Sequence, residues 1–440
     1  MKFFLGLLFI AGLGLHAQSA EDAIRPFLNQ SGPGARAAAM GGSFAAIAED
    51  YTAVFWNPAG LTQIRKMELL GGLTHAAHAN RIGYQGTQTN QTNGFTNIDA
   101  LGWVIPVPTV QGSLVFAFGY SRIRSFDDYN RFSGSPAVAG GQFFQDEETT
   151  LDGSLNQWSF AGAVDATEHV SLGASLNLVT GRQDANVRYF EDDSEEDVIF
   201  DVYQRDVAFD ISPKYTGVDL KLGTLLKLTP STRFAATISA PTSLSVEERS
   251  GYAETFVYDH ARPDSLIGGD YFLKYHITSP WRFELAASHR YQGLLLSGAL
   301  EFIDWTQTRF RSKILDEDLN DIDGQINSSI LRDYRQTTNI KLGAEYMIPS
   351  LGVKLMGGFR YEPSPYKTSV ENLNSNKRFL SGGISVLLDT QVKLDAAYVL
   401  GWWKQATTDN LLGYNDLGVP LTTREKIKTH RFMVTVGYRF

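Results

Sequence analysis

The chain of 440 residues contains 41 glycines, 19 tyrosines, 27 phenylalanines and no cysteine. The lack of cysteine excludes a disulfide framework and an N-terminal lipid anchor, and the formal net charge of −9 argues against nucleic acid as a partner. The mean hydropathy of −0.17 suits a membrane barrel as well as a water-soluble fold, because lipid-facing residues of a barrel strand alternate with polar ones.

Residues 1–20 have the pattern of a secretory signal peptide. Lys2 precedes an apolar run from Phe3 to Leu15, and small residues follow near Ala17 and Ala20. The run is too short to cross a membrane as a helix, and a buried N-terminal helix is the competing interpretation. We therefore expect export and cleavage, either near Ala17 or near Ala20.

Residues 21–65 lack the periodicity of strands and are rich in small side chains, above all between Gly32 and Ala48. Small side chains permit close packing of the backbone, and Pro58 with Gly60 enforces a turn. We predict that this segment is a hatch, a plug inside the lumen of the strands that follow. The alternative is that Asn57-Pro58 forms a simple turn from helix to strand.

Residues 66–440 show recurring alternation of apolar and polar residues with period two, which is the signature of strands. Residues 340–348, for example, place Ile, Leu, Ala, Tyr and Ile on one face and Lys, Gly and Glu on the other. We predict fourteen strands, near 66–79, 98–107, 112–126, 153–165, 169–182, 205–229, 231–246, 271–289, 293–311, 332–349, 352–362, 377–389, 391–404 and 427–440.

The connections between these segments alternate between long polar stretches and tight turns, which is typical of outer-membrane barrels. The long ones are near 80–97, 127–152, 183–204, 247–270, 312–331, 363–376 and 405–426. The predicted fold is therefore all-β, a transmembrane antiparallel barrel of about fourteen strands with an N-terminal hatch. An even number of strands places both termini in the periplasm of a Gram-negative cell, and lipid and lipopolysaccharide of the outer membrane surround the barrel.

The last strand ends on an aromatic residue. His430, Phe432, Val434, Val436, Tyr438 and Phe440 share one face, as a lipid-facing strand requires. A terminal aromatic residue resembles the signal by which Gram-negative outer-membrane barrels are recognised. Tyr438 and Phe440 are therefore predicted to be read by the barrel assembly machinery.

Two stretches of the hatch resemble a known family. Gly-Ala-Arg-Ala-x-x-Met-Gly-Gly at 34–42, Asp50 at its spacing, and Asn-Pro-Ala-Gly-Leu at 57–61 resemble the FadL/TodX transporters of long-chain fatty acids and aromatic hydrocarbons. The resemblance implies passive uptake: a hydrophobic molecule binds at the extracellular loops and the hatch rearranges. The molecule then leaves sideways through a gap at a kink in the third strand. The matching hatch residues are Asn57, Pro58, Ala59 and Gly60.

A role in secretion is the alternative function. The stretch at 34–42 also resembles PorV, a barrel of the same type that acts as a component of a protein secretion system. In that case the partners would be secretion proteins rather than a small hydrophobic substrate. The sequence alone does not separate the two roles.

The third predicted strand, 112–126, is the candidate for the lateral gap. Its lipid face runs through Phe116, Phe118 and Tyr120, and the pattern then degrades. A glycine weakens a strand and permits a bend, and Arg122 would face lipid if the alternation continued. We predict a kink near Gly119, with Tyr120 and Arg122 beside it. The alternative is that Arg122 already lies among the lipid headgroups.

Apolar side chains in the long connections could form a pocket for a hydrophobic ligand, or they could pack the connections against one another. The candidates are Phe132, Phe143, Phe144, Phe256, Tyr258, Leu411 and Leu412.

No enzyme, cofactor or metal site is predicted. His169 and Ser171 have a His-x-Ser spacing, but they fall just after a tight turn, at the rim of the barrel. His75 and His78 would point to opposite faces of a strand.

Overall fold

The structure, a computed structural model, describes residues 19–28, 30–138, 141–193, 202–258, 265–312, 322–367, 376–408 and 421–440. Its wall consists of fourteen antiparallel strands, and the last strand pairs with the first to close the barrel. The strands are β1 (Glu68–Tyr84), β2 (Thr87–Val107), β3 (Leu114–Ser125 and Asp128–Gly134), β4 (Phe144–Asp165), β5 (Val170–Asp192), β6 (Val202–Lys227), β7 (Thr232–Ser239 and Ser243–Tyr258), β8 (Ser265–Thr278 and Arg282–Tyr291), β9 (Leu294–Asp304 and Arg309–Ser312), β10 (Gln336–Ile348), β11 (Val353–Glu362), β12 (Lys377–Leu387), β13 (Val392–Thr408) and β14 (Thr422–Arg439).

The predicted fold class and strand number are confirmed. Large apolar side chains such as Leu73, Phe160 and Leu285 face outward and are 55%, 63% and 56% exposed. Inward-facing polar side chains such as Glu68 and Glu345 are buried. This arrangement inverts that of a water-soluble sheet, because lipid rather than water surrounds the wall.

The prediction of a long connection at 80–97 is wrong. β1 and β2 pair continuously up to Tyr84 and Thr87, and the turn at Gln85–Gly86 has positive φ at both residues. Strands β3 to β8 likewise extend far into the predicted connections. We attribute the error to strand ends that project beyond the membrane, where neither face has to be apolar and the alternation disappears.

Three adjacent strands are interrupted at a similar height. β7 breaks at Ala240-Pro241-Thr242, β8 at Ser279-Pro280-Trp281, and β9 at the 3₁₀ turn Trp305–Gln307. Proline has no N–H group to donate to a ladder. Between these breaks and the end of the barrel at which the termini lie, the segments have 8, 10 and 11 residues. These lengths are close to the roughly 9–11 residues that a strand needs to cross a bilayer.

The N-terminal segment, residues 19–67, consists of short helices and turns joined by irregular backbone. It contains α1 (Ala20–Ile24), α2 (Ala35–Ala39) and α3 (Ala53–Trp56), with 3₁₀ turns at Arg25–Phe27 and Pro58–Gln63. Its apolar side chains form clusters with inward residues of the wall, for example with Ala100 and Val115. The signal peptide is predicted at residues 1–20, and residues 1–18 lie outside the described part of the chain.

One further helix, α4 (Ile322–Asp333), lies between β9 and β10. Its buried side chains Ile326 and Ile330 belong to the same apolar cluster as Ile24 and Phe27 of the N-terminal segment. Among the described residues, no helix has both the length and the apolar character needed to cross a membrane.

Phe440 completes the outward face of β14. Its N–H donates to the carbonyl of Met67 (3.1 Å), and its ring lies 5.5 Å from that of Tyr438. We predict that deleting Phe440 lowers the amount of heat-modifiable barrel in the outer membrane several-fold, because it removes the aromatic residue that we expect the assembly machinery to read. Phe432→Ala, on the same outward face but at mid-strand, is the control. Normal barrel levels combined with lost uptake would assign Phe440 to transport instead of assembly.

Candidate functional site

Pairs of wall glycines receive the N-terminal segment at three places in the lumen. Gly102 lies opposite Gly119, Gly173 opposite Gly223, and Gly343 opposite Gly358. A Cβ atom on Gly102 would lie 2.1 Å from the ring of Tyr51, and one on Gly358 would lie 2.1 Å from the nitrogen of Gly41. The wall therefore has notches where the absence of side chains lets the segment approach its backbone.

The Asn57-Pro58-Ala59-Gly60 motif occupies the notch of Gly173 and Gly223. Asn57 is fully buried, and its Nδ2 donates to the carbonyls of Ala45 (2.9 Å) and Thr224 (3.0 Å). Its Oδ1 accepts the N–H of Ala59 at 3.1 Å. The motif thus joins the N-terminal segment to β6. It lies several residues before the wall begins at Glu68, so it is not itself the turn into β1.

Ion pairs hold the other side of the segment. Arg36, 1% exposed, donates to Glu345 of β10 (2.7 Å) and to Glu49 (2.6 Å). Burial alone would raise the pKa of Glu49, but Arg36 and Lys354 outweigh it and hold the pKa at about 2. The stabilisation is therefore complete above the ordinary glutamate pKa of about 4.5 and is lost only as pH falls toward 2.

The wall has a discontinuity between β2 and β3. Their ladder ends at Ala100 and Ser121, although β2 stays paired with β1 as far as Thr87, and β3 with β4 as far as Gly134. We call the unpaired stretches, Thr87–Asp99 and Arg122–Gly134, the seam.

Side-chain amides bridge the seam. The amide of Gln91 both donates to and accepts from the backbone of Arg131. Asn93 donates to the carbonyl of Tyr129 (2.8 Å), and the Nδ2 of Asn97 donates to Asp127 (3.0 Å). Side chains can rotate away without unfolding a strand, and β2 and β3 each keep their other strand partner along the seam.

The N-terminal segment takes the place of the missing strand partner at the base of the seam. β2 has a bulge at Asp99, whose carboxylate accepts the N–H of Gly34 (2.8 Å). β3 has a bulge at Ile123, whose carbonyl accepts the N–H of Ser31 (2.9 Å). The backbone carbonyl of Ile123, which has left the ladder, is thus satisfied by the segment inside the barrel.

The discontinuity lies slightly beyond the predicted kink. Gly119 pairs with Gly102 and with Ser159, and it faces Tyr51, whose hydroxyl would be 2.6 Å from an added Cβ. Its role is therefore to accommodate Tyr51.

The two neighbours of the predicted kink face outward. Tyr120 donates to Asn156 (2.7 Å). The guanidinium of Arg122 turns back to Asp127 (3.3 Å) and to the carbonyl of Gly153 (3.1 Å). Arg122 thus finds polar partners instead of lying in an apolar environment.

A cavity of about 320 Å³ lies behind the seam. Arg124 is 7% exposed, and its Nε has no hydrogen-bond partner among the described residues. Arg431 lines the same cavity, and no ion pair to it is found within the described ranges. The charged lining residues are Arg25, Arg122, Arg124, Arg360, Lys377 and Arg431, with Asp99, Asp127, Asp128 and Glu362; the lining also includes Phe126, Phe379 and Trp403. The sequence prediction missed Arg360, Lys377 and Arg431, although their inward parity on β11, β12 and β14 was a signal for them.

Those predicted loop residues that the structure describes do not converge on one pocket. Phe132 is buried against Tyr84, with their rings 5.1 Å apart, whereas Phe144 faces outward and is 41% exposed. Phe143 is buried, and Phe256 stacks on Tyr258 near the end of β7. Leu411 and Leu412 lie outside the described residues.

The glycine notches can be tested by adding one methyl group. In Gly223→Ala the new Cβ would lie 2.1 Å from the Oδ1 of Asn57, so we predict that the N-terminal segment is displaced. The lumen should then admit small hydrophilic solutes several-fold faster in liposome-swelling assays. The control is Gly382→Ala, whose Cβ would have no neighbour closer than 3.7 Å. Equal swelling rates for the two variants would contradict this role of the notch.

Comparisons with known proteins agree with this geometry. Residues 17–440 match the family described as outer membrane protein transport protein (OMPP1/FadL/TodX). A solved FadL homologue from Pseudomonas aeruginosa aligns with a TM-score of 0.63 at 14% identity, covering 94% of this chain and 99% of the other. The toluene transporter TodX of P. putida aligns with a TM-score of 0.62 at 14% identity, covering 93% and 99%.

A third structure, the CymD monoaromatic hydrocarbon channel, aligns with a TM-score of 0.56 at 15% identity, covering 94% and 98%. Comparison with curated proteins finds no match. The structural alignments establish the shared fold, and the family match spans nearly the whole sequence. The chain belongs to the OMPP1/FadL/TodX family of outer membrane transport proteins, which are channels for hydrophobic compounds and not enzymes.

Proposed function

We propose that this protein takes up hydrophobic molecules passively, with both termini in the periplasm and the N-terminal segment as a hatch. A molecule enters from the loop side, reaches the cavity behind the seam and leaves sideways into the bilayer between β2 and β3. No covalent step or energy source is needed, because transfer from water into apolar surroundings is favourable in itself. Because release is lateral, the molecule does not have to pass through a water-filled pore.

The height of the seam is the observation that supports this route. The ladder between β2 and β3 contains eight residue pairs, counted from the end near the termini. At about 3.3 Å per residue and a tilt of roughly 40°, it rises roughly 20 Å, which is less than the apolar band of about 25 Å. The seam therefore begins inside the hydrocarbon region, where a departing molecule would meet acyl chains.

The charge of the cavity favours long-chain acids over neutral hydrocarbons as substrates. Arg124 and Arg431 face the cavity without a carboxylate partner among the described residues, and buried like charges repel each other. A bound carboxylate would supply the missing negative charge, while Phe126, Phe379 and Trp403 offer contacts to an apolar chain. The secretion role that the sequence left open has no comparable support.

Locking the seam tests the route. The chain has no cysteine, so the double variant Asn97→Cys/Asp127→Cys would carry one unambiguous pair across the seam, where the two native side chains are 3.0 Å apart. We predict that oxidation lowers uptake of a radiolabelled hydrophobic substrate at least tenfold and that a reductant restores it.

The matched control for the lock is Asn177→Cys/Asp219→Cys. These side chains are 2.9 Å apart on directly opposed residues of β5 and β6, where the ladder is continuous. Oxidation of the control pair should leave uptake unchanged. If the oxidised seam variant transports as fast as the same variant with its cysteines reduced, the substrate does not leave between β2 and β3.

The substrate class can be tested with molecules of equal chain length. We predict that Arg431→Gln weakens binding of a long-chain carboxylate about tenfold but leaves binding of the corresponding alcohol unchanged, since a buried charge-assisted bond contributes about 1.5–3 kcal/mol. Binding can be followed by quenching of tryptophan fluorescence, with Lys274→Gln, an outward-facing charge, as the control. Equal losses for acid and alcohol would show that Arg431 acts through packing and not through charge.

A further inference from the structure

Four neighbouring strands, β12, β13, β14 and β1, carry only positive charge on their outward faces. Among the described residues of these strands, no aspartate or glutamate faces outward. At the loop end, the outward face instead presents exposed basic side chains. Five of these basic residues, which we call the basic patch, are Arg378, Lys404, Lys426, Lys428 and Arg81.

The register brings these charges directly against one another. Lys404 of β13 lies opposite Lys426 of β14, which lies opposite Arg81 of β1. Directly opposed residues of antiparallel strands have Cα atoms about 4.5–5.5 Å apart, and like charges in such positions destabilise a sheet. In the next row, Trp402 lies between Arg378 and Lys428.

No carboxylate in the part of the chain that the structure describes neutralises the basic patch. Arg81 donates to the amide oxygen of Asn90 at 2.9 Å. Within the described ranges, none of the five residues forms an ion pair with a carboxylate. The repulsion among them is therefore left for the surroundings to balance.

The basic patch lies at the boundary of the membrane. On β13 the outward residues are apolar from Val392 to Trp402, and Lys404 follows directly. That run matches the roughly 9–11 residues that a tilted strand needs to cross the hydrocarbon core. Trp402, the last outward residue of this run, lies at the depth where aromatic side chains border lipid headgroups.

The opposite side of the barrel is different. There the outward charges form pairs of opposite sign, among them Arg182–Asp184, Arg188–Asp210 and Lys274–Glu247. Among the described residues, outward carboxylates thus accompany the outward cations on that side, whereas the four strands of the basic patch have none.

We infer that the basic patch is a binding site for the phosphate groups of lipopolysaccharide in the outer leaflet. Lysine and arginine side chains donate charge-assisted hydrogen bonds to phosphate, and a cluster of like charges at a membrane surface attracts anionic lipid. Trp402 and the apolar residues of the four strands contact the acyl chains of the same molecule. The inference rests on the orientation proposed above, with the loops outside the cell.

The test uses the full-length protein, stripped of lipid and kept in a non-ionic detergent. Native mass spectrometry measures its affinity for purified lipopolysaccharide. Each basic residue near an anionic membrane surface contributes a factor of about five, so Lys404→Gln/Lys426→Gln/Arg81→Gln should lower the affinity about 100-fold. The single variant Lys426→Gln should lower it about fivefold and gives a second reading. Heat-modifiability on gels verifies that each variant is folded.

The matched control removes three outward charges from the opposite side of the barrel. Lys214, Arg249 and Lys274 are exposed on β6, β7 and β8, with Glu247 between Lys214 and Lys274. Replacing all three by glutamine should leave the affinity for lipopolysaccharide unchanged. Equal losses for the two triple variants would overturn the assignment, because net charge alone would then explain the binding.

Two further ligands identify what is recognised. Dephosphorylated lipopolysaccharide should bind the wild-type protein as weakly as native lipopolysaccharide binds the triple variant of the patch. Phosphatidylglycerol should bind no more tightly than that. If phosphatidylglycerol binds as tightly as lipopolysaccharide, the patch is a general site for anionic lipid and the inference is wrong. Uptake of hydrophobic substrate by the triple variant should equal that of the wild type, so the inference and the proposed function fail separately.

Discussion

Inside a bilayer there is no water, so every backbone polar group must form its hydrogen bond within the protein. This requirement governs the structure. Closure of β14 on β1 satisfies it around the barrel. It also determines what happens where the wall is interrupted. At the seam, β2 and β3 lose each other as partners, and their polar groups bond instead to amide side chains and to the N-terminal segment. The interruption is therefore tied structurally to the segment inside the barrel.

Glycines in the wall allow the N-terminal segment to lie in close contact with it. Directly opposed glycines leave room for Tyr51, for Asn57-Pro58 and for Gly41, and the segment supplies small side chains in return. An added methyl group at these positions would overlap its neighbour, so the close contact requires glycine in the wall. Rearrangement of the segment is then expected to proceed by release from whole notches and not by gradual deformation.

Charge is distributed in distinct zones. The side of the N-terminal segment near Arg36 has closely matched ion pairs with Glu49 and Glu345. The cavity behind the seam has an excess of cations, and so does the outward face of β12–β14 and β1. Matched pairs attract each other without a ligand, whereas like charges that lie close together repel each other and would be stabilised by an external anion. The two unmatched zones therefore differ in kind from the rest of the molecule, and both border regions where lipid or substrate would lie.

The sequence by itself determined the fold class, the number of strands and the family. Period-two alternation is a local property, and lipid imposes it on each strand separately. The motif at 57–61 is also local. The extent of strands β1 to β8 was not predictable in this way, because alternation vanishes where both faces meet water. Only the tertiary structure decided that Gly119 accommodates Tyr51, that the interruption begins beyond Ser121, and that Lys404, Lys426 and Arg81 stand in one row. Those facts depend on the register between strands that are distant in the chain, and register is set by closure of the whole barrel and not by any one segment.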